Sequence, residues 1–569
     1  MTVGMSGVAH VTNRRFSFKI LRLSKYSSRV AALQTLFRIN RRSYSVQPEF
    51  KLKCGLEIHT QLQTKYKLFS STLNSSLETK PNHNVSFYDA AIPGTQPILN
   101  YEPVIFATKL ALALNSTINS SCSFDRKHYF YPDQPAGYQI TQHFSPFAKG
   151  GCLMLYGDLD NIDEINKKIN IIQIQIEQDT GKSIYNRNNS GDGRLVDLNR
   201  SNVPLIELVT YPDFTDCKQI VSFIKKYQNL VRHLHISTGD LETGALRVDV
   251  NVNVNDFPRV ELKNLPNTSE ISKAIKYEYY RQVDILKSAK DNSYVEYLAE
   301  TRSWDGSRTH LLRTKETHTD YRYIPDLELP VVNFSQNFIS TMKNNLGLLP
   351  DQLIRKLLAE PYCLSLKDAR IFSISSNSKN NLYSHNDLST YFFETFHSYS
   401  SLCKRYNIAT ESKLVVNWIL HNLLGILNRY SIPLKSVSHT FLTPKSFSYF
   451  LYLIKTSRIT NSTAKLMLPS ILKSFDPNDE KYSKQINFDD ILGQYDLAPI
   501  SEEHHKDVQD LCRAILNDIK DQSLIECIVS GKKKNGLKFL IGQGMRKSQG
   551  RITSKEFELN YKKLLNIKW

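Results

Sequence analysis

The chain has 569 residues, 41% of them hydrophobic, which is enough for a sizeable core and typical of three or four domains. Its formal net charge of +18 favours a polyanionic partner. No apolar run approaches the length of about 18 residues that crosses a bilayer. We therefore expect a globular protein without a transmembrane segment.

The N-terminal segment is basic and contains no acidic residue. Its first 48 residues hold nine Lys or Arg among scattered serines, a composition typical of a mitochondrial transit peptide. Arg42, Ser43 and Tyr44, followed by Ser45, look like a matrix-peptidase cleavage site. We predict a transit peptide over residues 1–44 and the mitochondrial matrix as the location; a basic arm that binds nucleic acid is the alternative. Removing these nine charges halves the formal charge.

Four later segments alternate apolar and polar residues, as half-buried β-strands do. The pattern predicts strands over 50–63, 172–179, 248–255 and 260–263, with Ile172, Ile174 and Ile176 of the second facing a core. The polar sides carry unusual residues: Glu57, His59, Glu177, Asp179, Asp249, Glu261 and Lys263. A solvated face of an antiparallel sheet explains any one strand. Four together favour a chemical site.

Helical patterns connect and follow these strands. Apolar residues recur at helical spacing over 217–234, so the chain up to about Pro330 is α+β. Beyond it, helices are predicted over 349–358 and 414–427, and Thr443 with Pro444 begins another. The last helix has one apolar side, formed by Phe557, Tyr561, Leu564 and Leu565. We expect an all-helical C-terminal third.

The C-terminal end is again basic. Residues 532–569 contain eleven Lys or Arg against Glu556 and Glu558. Positive charge concentrated at one end suits tRNA or rRNA, because neutralising phosphates releases counterions. A merely solvated basic terminus is the alternative.

The acidic residues on the predicted strands, with His59 and Glu207, are oxygen and nitrogen ligands of the kind that hold Mg²⁺ or Mn²⁺. Basic residues lie beside them in the sequence: Lys127, Lys182, Arg200, Arg247 and Lys263. Carboxylates with metal ions, next to Lys and Arg, hold triphosphates and neutralise charge during phosphoryl transfer. Structural salt bridges on a solvated sheet are the alternative.

Eleven sequence segments resemble the GatB family of glutamyl-tRNA(Gln) amidotransferases. They occur in the family's order and cover nearly everything after residue 50. The segments are GLEIHTQL (55–62), KLF (67–69), YFYPD (129–133), GYQI (137–140), DLNR (197–200), PLIE (204–207), GALRVD (244–249), ELKN (261–264), DYRYIP (320–325), NW (417–418) and residues 536–545.

The resemblance implies a fold and a division into domains. The fold class is α+β, with a cradle-like catalytic domain on a largely antiparallel sheet over residues 45–330. A helical connector over 331–412 would follow, and then an all-helical tail similar to YqeY proteins over 413–569. The tail would bind tRNA, in agreement with its charge.

The resemblance also implies a reaction in two steps. ATP phosphorylates the side-chain carboxylate of glutamate misacylated to tRNA(Gln), and ammonia then displaces phosphate to leave glutamine. Nothing in the chain resembles an amidase signature, so a partner amidase (glutaminase) would supply the ammonia, and a small third subunit is expected. Two alternatives are a non-catalytic tRNA-binding scaffold for the amidase and a carboxylate-amine ligase that acts on a small acid.

Site residues follow from the matching motifs. His59 and Glu207 would bind one Mg²⁺, and Glu57, Asp249 and Glu261 a second metal, with Mn²⁺ as a substitute. Lys127, Arg247 and Lys263 would contact the ATP phosphates, and the catalytic set would be Glu57, His59, Glu207 and Lys263.

Two positions depart from the family pattern. Gln178 stands where a second acid is common; its carbonyl oxygen could still bind the metal, but without charge. Ser70, Ser71 and Thr72 stand where some relatives carry cysteines. We therefore predict no zinc.

Overall fold

The computed structural model describes residues 49–74, 80–185, 194–289, 298–314, 321–374, 382–473, 484–494, 505–519, 534–548 and 552–566, with a few single positions between them. The predicted transit peptide, residues 1–44, lies outside this part of the chain. The strands are β1 (Leu52–Gln61), β2 (Thr117–Ile118), β3 (Ser121–Cys122), β4 (Asp125–His128), β5 (Tyr138–Thr141), β6 (Ala148–Lys149), β7 (Cys152–Tyr156), β8 (Asn166–Gln178), β9 (Lys182–Tyr185), β10 (Arg194–Asp197), β11 (Pro204–Thr210), β12 (Leu246–Val254), β13 (Val260–Lys263), β14 (Glu300–Trp304), β15 (Thr309–Thr314), β16 (Ile324–Pro325) and β17 (Val332–Asn333).

Helices lie between the strands and dominate after residue 335. They are α1 (Glu102–Ala113), α2 (Gly157–Asp160), α3 (Cys217–His233), α4 (Thr268–Ala289), α5 (Gln336–Asn344), α6 (Pro350–Leu358), α7 (Leu366–Ser373), α8 (His385–Arg405), α9 (Ser412–Asn417), α10 (Leu424–Tyr430), α11 (Leu434–Ser438), α12 (Pro444–Lys455), α13 (Asn461–Leu472), α14 (Phe488–Gln494), α15 (His505–Asp518), α16 (Lys534–Lys547) and α17 (Ser554–Leu564). No described helix combines the length and the apolar content that a bilayer span requires.

A ten-stranded sheet organises the first half of the chain. Its order is β15-β14-β13-β12-β1-β11-β8-β6-β2, and β7 pairs with β8 off this path. The pairs are antiparallel except for β13 with β14, which is parallel. The α+β class is confirmed, and all four predicted strands lie in this sheet.

Strand β12 shows why alternation predicted the sheet so well. Its residues are alternately buried and half-buried over the whole of Leu246–Val254. Successive side chains of a strand point to opposite faces, so valines pack inward while Asp249 and the asparagines point to the other face.

Strand β8 departs from its prediction at one point. Ile174 and Ile176 are buried as predicted, but Ile172 is 37% exposed and Ile171 is buried instead. The pairing with β11 shifts register between residues 209 and 210, which marks a bulge or irregularity. An extra residue in one strand exchanges the two sides of the strand at that point, so the prediction for Ile172 was wrong.

Helix α3 covers the apolar face of the sheet. It was predicted over residues 217–234 and ends one residue earlier, within the usual uncertainty of helix ends. Tyr227 of this helix is fully buried, and its hydroxyl lies 2.8 Å from Oγ1 of Thr60 in β1. Burial of this face leaves the opposite face, with its carboxylates, free for chemistry.

A buried ion pair joins two loops beside the sheet. Lys67 is fully buried, and its Nζ donates to Asp89 at 3.0 Å and to the carbonyls of Asn84 and Leu198. Burial lowers the pKa of Lys67, and the Asp89 carboxylate offsets part of that effect. Because Lys67 belongs to the KLF segment and Leu198 to DLNR, two of the family-like segments are held together by one ammonium group.

The described residues form three hydrophobic clusters. The first spans residues 50–332, the second mainly 353–488, and the third 508–561. The exact domain boundaries stay predictions.

The helical prediction after Pro330 holds with two qualifications. The two-residue strand β17 pairs with β3, and the helix predicted over 414–427 contains a π-helical segment, Trp418–Leu423, between α9 and α10. Thr443 caps α12 as predicted, its Oγ1 accepting a hydrogen bond from the amide of Ser446. In α17, Phe557 and Tyr561 are buried.

Candidate active site

Strand register aligns the polar face of the sheet. His59 lies opposite Glu207 on one neighbouring strand and Arg247 on the other. Glu57 lies opposite Asp249. Directly opposite residues on one face have adjacent side chains, so residues far apart in the sequence meet here.

Glu57, His59 and Glu207 form a compact group. Each offers one potential ligand atom, and these atoms lie within 4.8 Å of one another. Nε2 of His59 is 3.9 Å from Glu207 and 3.8 Å from Glu177. Among the described residues, this is the group of three acidic, histidine or cysteine side chains with the spacing of a metal site.

The two carboxyl groups of this site are electrostatically unequal. Burial, the carboxylates of Glu177 and Glu57, and a hydrogen bond with Glu57 raise the pKa of Glu207 well above its usual value. Burial acts to raise the pKa of Glu57 too, but His59, the hydrogen bond from Glu207 and Lys263 lower it. Burial and the neighbouring carboxylates therefore favour the protonated form more strongly for Glu207 than for Glu57.

This donor set fits a divalent cation. Two carboxyl groups and one imidazole are oxygen and nitrogen ligands that suit Mg²⁺ or Mn²⁺. The raised pKa of Glu207 marks a place where negative charge is crowded, which a cation would relieve.

Asp249 and Glu261, which were predicted to bind a second metal together with Glu57, contact a lysine in the structure. Nζ of Lys263 lies between them, 2.6 Å from Asp249 and 2.9 Å from Glu261. Burial lowers the pKa of Lys263, but these two carboxylates outweigh it and raise the pKa. The structure thus places Glu57 with His59 and Glu207, and pairs Asp249 and Glu261 with an ammonium group.

Arg247 is held by a further buried carboxylate. Its guanidinium lies 2.7 Å from Asp179, which is 2% exposed. Nε of Arg200 is 3.8 Å from the same oxygen, and Arg200 donates to the carbonyls of Thr180 and Gly181. Asp179 therefore orients the guanidinium groups of Arg247, predicted to contact the ATP phosphates, and of Arg200, predicted only to lie beside the site in the sequence.

Lys127 reaches the site from the separate hairpin of β4 and β5. Its Nζ lies 5.0 Å from the centre of the Tyr321 ring. Burial lowers the pKa of Lys127, but the carboxylates of Glu177 and Glu207 outweigh it and raise the pKa. Lys127 thus adds positive charge close to these two carboxyl groups.

Glu177 lies closer to the site than Gln178 does. It is buried, accepts a hydrogen bond from Thr141, and lies 3.8 Å from His59. Gln178 follows Ile176 by two residues in β8, so the two side chains point to the same face of the strand. Nε2 of Gln178 is 3.4 Å from the Tyr138 carbonyl. Its Oε1 is buried without a hydrogen-bond partner in the described structure. Gln178 is thus not brought into the Glu57–His59–Glu207 group.

Ser70, Ser71 and Thr72 lie in the loop that follows β1. Ser70 is buried and donates to Asp89 at 3.0 Å, so its hydroxyl completes the buried ion pair of Lys67. Ser71 is exposed. The absence of zinc stays a prediction.

Sequence reasoning did not single out some residues of the site. Gln139 donates to Glu177 and to the Gln178 carbonyl, and Tyr323 is electrostatically coupled to Lys127. Both belong to segments quoted for the family resemblance, GYQI and DYRYIP, so a signal was present in the sequence. Their roles required the tertiary structure, because they come from loops and short strands outside the main sheet.

Comparison with known proteins identifies the class. Residues 52–340 match the family model described as the GatB/GatE catalytic domain, and residues 399–565 match the one described as the GatB domain. The two ranges contain both the candidate site and the helical tail.

Individual relatives are similar over nearly their full length. The chain is 52% identical to the mitochondrial B subunit of glutamyl-tRNA(Gln) amidotransferase from Zygosaccharomyces rouxii over 545 residues, covering 94% of this chain and 100% of the relative. It is 53% identical to that of Kluyveromyces lactis, covering 92% and 97%. It is 52% identical to that of Saccharomyces cerevisiae strain RM11-1a, covering 92% and 96%. The chain belongs to the GatB family of glutamyl-tRNA(Gln) amidotransferases.

Proposed function

We propose that this chain is the component of a mitochondrial glutamyl-tRNA(Gln) amidotransferase that activates and transamidates the misacylated glutamate. ATP would phosphorylate the glutamate side chain, and ammonia would displace the phosphate to give Gln-tRNA(Gln). The names of the relatives support the amidotransferase assignment. The grouping of Glu57, His59 and Glu207 beside the half-buried Lys127 and Lys263 carries the catalytic assignment.

The residues of the site divide by charge. Glu57, His59 and Glu207 would hold the divalent cation, with Glu177 beside them. A bound Mg²⁺ would supply positive charge against the oxygens of the transferring phosphoryl group. Asp249 and Glu261, predicted as ligands of a second metal, hold Lys263 in this structure.

Lysine and arginine side chains would neutralise the remaining phosphate charge. Lys127 lies close to Glu177 and Glu207, Lys263 lies between Asp249 and Glu261, and Arg247 pairs with Asp179. Each of the three cations has a raised pKa, so each stays protonated through the neutral range. Ion pairs with their carboxylates fix the positions of Lys263 and Arg247 before the substrate arrives. Preorganised charge of this kind is the main contribution that a protein makes to phosphoryl transfer.

The assembly and location follow the same proposal. A partner amidase would supply ammonia, a small third subunit would complete the complex, and the matrix would be the site of action. The catalytic cradle would end near residue 330, the connector near 412, and the tail would bind the tRNA. The first hydrophobic cluster, which spans residues 50–332, supports the proposed end of the cradle, whereas the second contains residues on both sides of position 412.

The test compares the complex carrying wild-type chain with His59→Ala and Glu207→Ala. The chain is co-expressed with its amidase partner and assayed with Glu-tRNA(Gln), Mg²⁺-ATP and ammonium chloride, which bypasses the glutaminase. Conversion to Gln-tRNA(Gln) should require ATP and fall by at least about 100-fold in both variants, as expected when electrostatic stabilisation is lost.

Matched controls lie outside the site. His439→Ala and Glu411→Ala change the same residue types at exposed positions and should keep full activity. If conversion survives both site substitutions, the site assignment is wrong. If tRNA binds tightly but ATP is never consumed, the chain is a scaffold for the amidase.

A further inference from the structure

An exposed aromatic cluster lies next to the candidate active site. The rings of His143 and Tyr323 are stacked, with centroids 3.7 Å apart and an interplanar angle of 7°. Phe144 packs edge-on against both, at 5.0 Å from His143 and 6.4 Å from Tyr323. We call His143, Phe144 and Tyr323 the aromatic shelf.

The ring of Phe144 is exposed although hydrogen bonds hold the backbone around it. Phe144 is 57% exposed, and its amide donates to the buried carboxylate of Asp125 at 2.9 Å. The next residues are held as well, because Asn119 donates to the Pro146 carbonyl. Exposure of a large aromatic ring loses the free energy that its burial would contribute. Aromatic rings that a fixed backbone holds in solvent are therefore a feature of binding surfaces.

The shelf is continuous with the charged site. Tyr321 packs edge-on against Tyr323 at 6.1 Å and lies beneath Nζ of Lys127. Lys127 in turn is electrostatically coupled to Glu177 and Glu207. A ligand with its reactive group at the carboxylates and a flat ring a short distance away would therefore cover Lys127 and reach the shelf.

The chemistry of the shelf suits a nucleobase at the end of a single strand. Aromatic rings stack on unpaired bases, and a nearby cation binds the adjoining phosphate. An exposed shelf suits the end of a macromolecule better than a small nucleotide, which a protein usually encloses in a concave pocket. All tRNAs end in an unpaired adenosine, which carries the amino acid.

We propose that Phe144 and the stacked His143–Tyr323 pair bind the terminal adenosine of the aminoacyl-tRNA. This inference rests on the proposed function, because it assumes that the aminoacyl end enters the site. Stacking there would place the ester-linked glutamate on the side of the carboxylates and Lys127.

A binding experiment tests the shelf without requiring catalysis. The complex is titrated with deacylated tRNA(Gln) that has either an intact 3′ end or an end lacking the terminal adenosine. Removal of the adenosine should weaken binding to wild type by about ten-fold. With Phe144→Ala, intact and shortened tRNA should bind alike, and Phe144→Tyr should restore the difference.

A kinetic experiment tests whether the shelf binds the terminal adenosine of the tRNA or the adenosine of ATP. Phe144→Ala should raise the KM for Glu-tRNA(Gln) by about ten-fold and leave the KM for ATP unchanged. Tyr406→Ala, a second exposed aromatic position after helix α8, should change neither value. An unchanged melting temperature would show that each variant is folded.

Two results would overturn the proposal. A rise in the KM for ATP alone would assign the shelf to the nucleotide. A ten-fold difference between intact and shortened tRNA that persists in Phe144→Ala would place the terminal adenosine elsewhere. If the binding difference behaves as expected but no ATP is consumed, the shelf stands and the proposed catalysis fails.

Discussion

At the scale of the residue, the crowding of carboxyl groups around His59 governs how the site responds to a cation. Three carboxyl groups, those of Glu57, Glu207 and Glu177, surround one imidazole, and burial prevents water from screening them. The raised pKa of Glu207 is the result. A divalent cation and a proton compete for the same oxygens, so metal binding should lower the pKa of Glu207.

Thermal stability provides a test that is independent of activity. Addition of Mg²⁺ or Mn²⁺ should raise the melting temperature of the wild-type complex, because a ligand that binds only the folded state stabilises it by about 2.7 kcal/mol at a hundred times its dissociation constant. Glu207→Gln should lose most of that shift, whereas Glu411→Gln should retain it. An equal shift in wild type and Glu207→Gln would argue against a metal at Glu207.

The same variant has a predicted pH dependence. The pKa of Glu207 is raised, so the stability that this residue contributes is present below its usual pKa and is lost as the pH rises through the raised value. Without metal, Glu207→Gln should therefore gain in melting temperature over wild type as the pH rises above the usual glutamate pKa of about 4.3. A difference that stays constant above that pH would show that Glu207 is already ionised.

At the scale of the element, regular alternation and tight packing determine what each segment tolerates. Two glycines near the C-terminal end of helix α16 have different surroundings. Gly542 is exposed with open space around it, whereas a Cβ on Gly544 would lie 2.6 Å from the ring of Phe557 in α17. Of these two, only Gly544 is required by the packing of the two helices.

Substitution of these glycines should have opposite effects on local stability. Gly542→Ala should stabilise α16 by about 0.8 kcal/mol, because alanine has the higher helix propensity. Gly544→Ala should destabilise the α16–α17 pair by about 1 kcal/mol or more, because the ring must move. Amide hydrogen exchange over residues 534–564 measures both. Equal exchange in the two variants would contradict this packing.

Strand prediction was accurate wherever the pairing was regular and failed at the bulge. In β12 every residue followed the alternation, while Ile172 of β8 lies on the side opposite to the predicted one because the pairing with β11 shifts. Alternation of period two within one strand cannot reveal a bulge, because a bulge depends on the pairing with the partner strand. The π-helical segment inside the predicted 414–427 helix was missed for a similar reason, since apolar spacing is nearly the same in both kinds of helix.

At the scale of the whole molecule, three hydrophobic clusters follow one another along the chain, and the segment that contains the last one is rich in positive charge. Lys538, Arg546 and Lys555 are exposed in the tail. Exposed cations that bind phosphates contribute to affinity in a manner that depends on salt and not on sequence.

Neutralising the tail should weaken tRNA binding and make it less sensitive to salt. The triple variant Lys538→Gln, Arg546→Gln, Lys555→Gln should reduce the slope of log affinity against log salt by about 0.7–0.9 for each phosphate that the tail no longer neutralises. The matched control is Lys413→Gln, Lys435→Gln, Lys465→Gln, three exposed lysines that precede the basic segment. A slope that is unchanged in the variant of the basic segment, residues 532–569, or equally reduced in the control, would leave this segment of the tail without a special role.

The sequence by itself determined the class of fold, the strands of the site and the family, because alternation, helical spacing and long ordered motifs are properties of the chain read in order. It also placed Glu57, His59, Glu207 and Lys263 among the candidates. It could not decide which carboxylates meet. Only the tertiary structure did so. Strand register places Glu57 and His59 next to Glu207, and Lys263 lies between Asp249 and Glu261. Lys127 comes from a separate hairpin. Such contacts depend on pairing between distant segments, which no local pattern specifies.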